Sequence, residues 1–384
     1  MFSCAQTPVT PEEVEQSYLG DAAGRRAALE GALWQPELPY SRSLLANYGL
    51  EDAGWELLPV LPVVSRPFYV QDSDTIAQGN ALVVDGEPLD MNDSDLGRRM
   101  FFEAPMRYDA YLTWLATRPE LWSQAGLDVQ EDGSVRGLLA FRDLDGSTRV
   151  GMSCSLCHAE EGVAGRASRG IDLGWVRARY AEWRGVSGEL FETWGPGRVD
   201  VTDDGVNGPT AIPDLWGLEH AQYLNHSGSV AVPTAASMAV RFETQMILGH
   251  RMQSRPDRRG VWALMEFVRS LEPDAFALSE SPRAAEGQTL FDAMCAQCHN
   301  PQAGFSGGLV AAQQLTSDPT IATTPERGTG YYKVPSLIRV SQNAPYLADG
   351  SQPSLEALLA SGHPFGTPPS LDERAALIDY LKTL

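Results

Sequence analysis

No stretch of the 384-residue chain is apolar for long enough to cross a bilayer, so nothing in it reads as a transmembrane helix. Positive charge is scarce as well: 29 Lys and Arg stand against 50 Asp and Glu, a formal charge of −21. Polyanions are repelled by such a surface, which argues against nucleic acid and anionic membranes as partners. A basic redox protein remains compatible, although a self-repelling surface needs no partner at all. The opening MFSCAQTPVT shows no basic start followed by an apolar run. Cysteine is sparse too, with five in the chain. One of them, Cys4, follows a small serine and precedes a polar stretch. This is a weak likeness to a lipid-anchored lipoprotein cysteine, set against the simpler reading of a free thiol.

The other four cysteines form two motifs, CSLCH at 154–158 and CAQCH at 295–299. Two thiols three residues apart lie on one side of a helical turn, where Cys154 with Cys157, and Cys295 with Cys298, can each bind the two vinyl groups of one haem. The adjacent His158 or His299 then offers its imidazole to the iron. A zinc ribbon keeps its two pairs roughly 15–20 residues apart, far closer than these, and a thioredoxin-like redox pair explains neither histidine. The motifs therefore predict two covalently bound haem c groups. Such attachment takes place outside the bacterial cytoplasm, which places the protein in the periplasm or outside the cell. The export signal expected of a protein with covalent haem, not shown by the opening residues, reads as removed or replaced.

The chain also repeats itself. ALMEFVRSL at 263–271 and ALIDYLKTL at 376–384 agree position by position in chemical type, and both place apolar residues at helical spacing. Ahead of each lies a second related pair, LGRRMFFEA from Leu96 and EGQTLFDAM from Glu286. Gly97 and Phe101 match Gly287 and Phe291, glycine allowing a close helix approach and the aromatic filling the gap. Each repeat thus reads as a haem-holding module closed by a helix pair. The pattern divides the chain into an irregular, Pro- and Gly-rich extension at 1–95 packed on the core, a first haem domain at 96–271, and a second at 284–384. The stretch 272–283, with prolines at both ends, reads as the linker. Within an insertion before the first motif, residues 134–153 read as a hairpin turning at Asp145-Gly146. For the second iron, no methionine follows Met294 and His363 is the one histidine after His299. That makes His363 the natural distal ligand, with a surface histidine in a proline turn as the alternative. Bis-histidine ligation suits a low-spin, low-potential electron-transfer centre.

Two such motifs, together with GYYKVPSLIRVSQNAPYLADGSQPSLEALL at 330–359 and its counterpart VNGPTAIPDLWGL at 206–218, resemble the bacterial di-haem cytochrome c peroxidase superfamily. That group includes MauG-type enzymes and rubber oxygenases. The resemblance spans roughly 96–384 and implies a mainly α-helical pair of cytochrome c-like domains whose haems face a shared interface. It implies reduction of hydrogen peroxide, or oxidation of a partner by peroxide or dioxygen, at an open first haem. The electron donor and the organic substrate stay open, and the rival reading is a plain electron carrier with two closed haems. The resemblance places a distal histidine before a Gly-Trp pair, where this chain has Leu173 in RGIDLGW. This leaves an apolar open face unless His220, His226, His250, Met238, Met246 or Met252 swings in. Glu243 in VRFETQM, beside Gln245, takes the place of the acid–base carboxylate, or else is a helix-surface glutamate. LNHSGSV at 224–230 puts His226 where an inter-haem tryptophan is expected, with Trp216 nearby in sequence. A calcium would sit on Asn207 and the backbone carbonyls of Asn343 and Pro345.

Overall fold

The computed structural model describes residues 10–48, 54–202, 206–273, 281 and 283–384. Cys4 and most of the expected linker lie outside them. The described chain is mainly helical, with small sheets at its edges. No helix among the described residues is long and apolar enough to cross a membrane.

Between residues 11 and 48 the extension is helical rather than irregular, with α1 (Pro11–Gly20), α2 (Ala22–Ala32) and α3 (Pro39–Tyr48). Local signals start the first two. Thr10 accepts from the Glu13 amide while Glu13 reaches back to the Thr10 amide, with Pro11 at the first helical position. Asp21 caps α2 through the Ala23 amide. Tyr18, Leu29 and Leu44 then bury their side chains in one apolar cluster with residues of the helices Ala235–Gly249 and Arg258–Arg269. The extension therefore belongs to the core.

The same union carries buried charge. Arg25 holds Glu56 in a two-point ion pair of 2.7 and 2.8 Å. Arg258 Nη2 lies 2.9 Å from Glu56, and its Nε donates to Glu243 Oε1 at 3.0 Å. The Tyr18 hydroxyl donates to Glu243 Oε2 at 3.0 Å. Two carboxylates and two guanidiniums alternate, so the charges cancel inside the fold, which is the condition for burying them.

The repeat has a physical meaning in the packing. The helices Leu96–Glu103 and Arg258–Arg269 pack together, as do Ala284–Met294 and Leu371–Leu381. A Cβ on Gly97 would lie 2.2 Å from the Ala263 carbonyl oxygen, and one on Gly287 would lie 2.0 Å from that of Ala376. Only glycine permits either approach. Beside them Phe101 meets Phe267 at 5.5 Å between ring centroids, and Phe291 meets Tyr380 at 5.2 Å. Each aromatic pair adds about 0.5–1.5 kcal/mol beyond its buried area. The two helix pairs are the same lock built twice.

The hairpin expected at 134–153 is present, with β2 (Ser134–Arg142) and β3 (Thr148–Met152) antiparallel and β1 (Ser65–Tyr69) from the extension on the outer edge of β2. Gly137, at φ +76°, brings β2 against the first motif: a Cβ there would lie 2.3 Å from Leu156 Cα. The Ser153 amide donates to the Gly137 carbonyl at 2.9 Å, tying the hairpin to the turn that carries Cys154.

Candidate haem-binding sites

Each Cys-x-x-Cys-His segment folds as one turn. The His158 amide donates to the Cys154 carbonyl at 3.1 Å, and the His299 amide to that of Cys295 at 2.9 Å. All four thiols are free of disulfides. Burial pushes Cys154 and Cys157 up to about 12 and Cys295 to about 11, so these groups are neutral thiols. Among the described residues no three His, Cys, Asp or Glu side chains gather as the four-ligand cage of a structural zinc would require. These residues are half-buried rather than sealed, yet strongly desolvated. Their open surface therefore faces enclosed space.

Both histidines are oriented the same way. His158 Nδ1 lies 3.0 Å from the Pro213 carbonyl oxygen and His299 Nδ1 lies 3.1 Å from that of Phe305. Burial pushes both down to about 4, so each ring is neutral at pH 7. A neutral ring donating from Nδ1 leaves the Nε2 lone pair for a metal, and the carbonyl fixes both tautomer and ring plane.

The second motif opens on a cavity of about 520 Å³, within the range of cofactor sites. Cys295, Cys298 and His299 line it, and His363 lines it from the loop after the helix Leu355–Ala360. His363 is close enough to His299 for its charge to depress that ring further, after burial. Its Nδ1 is buried without a partner. Two imidazoles thus share one mostly apolar chamber, and the thiols stand beside one of them. The residues present fit a covalently held haem.

The chamber also reaches into the first half of the chain through Pro213, Trp216 and His226. The indole of Trp216 lies against Gly165, whose absent Cβ would stand 2.8 Å from Nε1. The Gly165 amide in turn donates to the His158 carbonyl at 2.8 Å. Trp216 therefore sits between the chamber of the second motif and the loop that closes the first. His226, at the bridging position suggested by the sequence, lines the chamber and points Nε2 at the Ala211 carbonyl, 2.9 Å away.

The remaining candidates separate cleanly. His250 has both ring nitrogens engaged, Nε2 with the Pro105 carbonyl at 2.6 Å and Nδ1 with Ser254 at 3.0 Å. His220 pairs with Glu219 at 3.1 Å. Met252 accepts from the Trp55 indole at 3.1 Å, and Met238 and Met246 are buried in the cluster shared with α1–α3. Leu173 is buried in the apolar cluster that also takes in Cys157.

Glu243 is not on the helix surface. It is 0% exposed and holds the Tyr18 hydroxyl on one oxygen and Arg258 on the other. Burial holds its carboxyl above the usual range despite Arg258. This is the geometry of an internal counter-ion. Gln245 beside it is half-buried. Of the calcium donors, Asn207 Oδ1 accepts from the Trp194 indole at 2.5 Å and the Asn343 carbonyl accepts from Arg169 at 3.2 Å. Asn343 Oδ1 is buried without a partner, and Pro345 lines the chamber. A guanidinium thus occupies one of the expected cation contacts.

No family model matches the chain, and no curated protein does. Two solved structures are similar in part. Hydrazine synthase of Kuenenia stuttgartiensis is 17% identical with a TM-score of 0.42, over 79% of this chain and 96% of that one. A MauG-like protein associated with microbial copper homeostasis is 17% identical with a TM-score of 0.36, over 50% of this chain and 78% of that one. Both likenesses are distant and partial, and the functional reading rests on the residues.

Proposed function

We propose that the protein is an exported di-haem oxidoreductase. It reduces hydrogen peroxide, or uses peroxide or dioxygen to oxidise another molecule, at the site of His158, with electrons passing through the site of His299 and His363. The observation that carries this reading is the duplicated imidazole setting: two Cys-x-x-Cys-His turns, each with Nδ1 tied to a backbone carbonyl, one of which lines a chamber together with a further histidine. Haem held there supplies the redox-active iron.

The chain's own groups have definite tasks. Cys154 with Cys157, and Cys295 with Cys298, would hold haem by thioethers, each S–H adding across one vinyl group, so that no oxidant would be consumed. His158 and His299 present Nε2. His363 closes the second site, and its unpartnered Nδ1 needs no rearrangement of hydrogen bonds for the ring to turn. His250, with both ring nitrogens engaged by Pro105 and Ser254, is not available as a ligand to the first site. Trp216 supplies an indole between the two.

The test is electron paramagnetic resonance of the oxidised holoprotein before and after one equivalent of peroxide. The reading expects one high-spin and one low-spin ferric signal, with the high-spin signal lost on peroxide. Two low-spin signals indifferent to peroxide and cyanide would replace it with an electron carrier.

A further inference from the structure

Only two of the 29 basic residues are lysines, Lys333 and Lys382. Lys382 lies near the surface, 3.8 Å from Asp379. Lys333 lines the chamber shared by His299 and His363. It ends the strand Tyr331–Lys333, which pairs with Leu309–Ala311, and its amide donates to the His226 carbonyl at 2.9 Å. The backbone is therefore fixed and the side chain has little freedom to retreat.

The charge balance of the chamber is unequal. Arg169 and Asp214 also line it, but they neutralise one another at 2.9 Å. The rings of His226, His299 and His363 are all disfavoured from protonating by burial. Lys333 has no carboxylate partner among the described residues. Burial alone lowers its ammonium to about 8, with no anion to raise it. Lys333 is half-buried on the chamber wall, and an ammonium drawn out of water without a counter-charge is costly. Retaining one on the chamber wall, in a chain whose basic residues are arginine at all but two positions, implies a ligand that supplies the missing charge. A single ammonium is a point charge suited to one anionic oxygen, whereas the forked guanidinium of Arg169 is already committed.

We propose that Lys333 is a carboxylate-binding subsite of this chamber, occupied by a propionate of the haem held by Cys295 and Cys298. The assignment rests on the haem reading above and adds to it a residue that holds and charge-balances the group. A cation beside the iron disfavours the more positive ferric state, so removing it lowers the reduction potential.

The test compares wild type, Lys333→Met and Lys333→Arg as holoproteins. Haem is first counted per chain by the pyridine haemochrome, and the low-spin haem is then titrated at pH 8, with and without acetate. The expected result is two haems in all three proteins, a lower midpoint potential in Lys333→Met, a near wild-type one in Lys333→Arg, and no response to acetate. Two haems with an unmoved potential in Lys333→Met would overturn the role of Lys333 alone. A wild-type potential that acetate shifts, and that Lys333→Met makes insensitive, would assign the subsite to a free carboxylate and overturn the propionate. A chain without haem would remove the reading itself.

Discussion

Replacing Arg258 by Met removes the guanidinium that touches Glu243 and leaves an unbranched apolar side chain in its place. Glu243 is 0% exposed and would keep the Tyr18 hydroxyl as its remaining partner, while Arg25 continues to hold Glu56. A buried carboxylate deprived of its cation costs about 3–5 kcal/mol. At about 2–4 °C per kcal/mol for a domain of this order, the melting temperature falls by about 6–20 °C. Glu243→Leu alone costs less, because Arg258 retains Glu56 at 2.9 Å. The double variant removes both charges and should recover most of the loss, so the cycle closes with a coupling of several kcal/mol.

The same variant has a pH signature. Burial already holds Glu243 above the usual carboxylate range, and losing Arg258 raises it further. A carboxyl whose folded pKa is raised stabilises the fold when protonated; that contribution is complete below about 4.3 and is lost as pH rises through the folded value. Arg258→Met should therefore lose less stability at pH 5 than at pH 8. A melting temperature within about 2 °C of wild type, or a double variant no better than the single one, would refute the buried-charge argument.

Gly97→Ala and Gly287→Ala should each lower stability by about 1–3 kcal/mol in denaturant titrations. The overlap with Ala263 or Ala376 outweighs the gain in helix propensity, whereas Gly170→Ala, with open space around it, should be near neutral. His363→Gly should open the second site, so that added imidazole perturbs the low-spin spectrum while the first site still binds cyanide. His226 is pushed down to about 4 by burial and then by Lys333, so its contribution to stability is present above about pH 6.5 and lost as pH falls towards 4. His226→Asn should flatten the acid limb of a urea-midpoint profile by up to one proton, about 1.4 kcal/mol per pH unit.

What could be read without coordinates was whatever repeats or stays local. The two motifs, the hairpin at 134–153 and the paired nonamers each announce themselves within a few residues, and Gly97 with Phe101 against Gly287 with Phe291 exposes the helix pairs. The Thr10-Pro11-Glu12-Glu13 start of α1 was equally local, but the surrounding Pro and Gly masked it. Glu243 was of another kind. Its partner Tyr18 lies 225 residues away, and nothing in VRFETQM announces a distant hydroxyl or the Arg258 ion pair. Lys333 escaped for the same reason, since its isolation is a property of a chamber assembled from both halves.

The duplicated lock explains why the halves could diverge around a common frame. Both keep a glycine under a backbone carbonyl and an aromatic pair beside it, and both keep an imidazole tied through Nδ1. They part company at the helix that follows. In the first half the helix runs from Ala235 to Gly249, and the histidine capping it, His250, spends both nitrogens on Pro105 and Ser254. In the second the helix stops at Ala360, and His363 reaches the chamber with Nδ1 unclaimed. One histidine is retained by the scaffold and the other is free to bind.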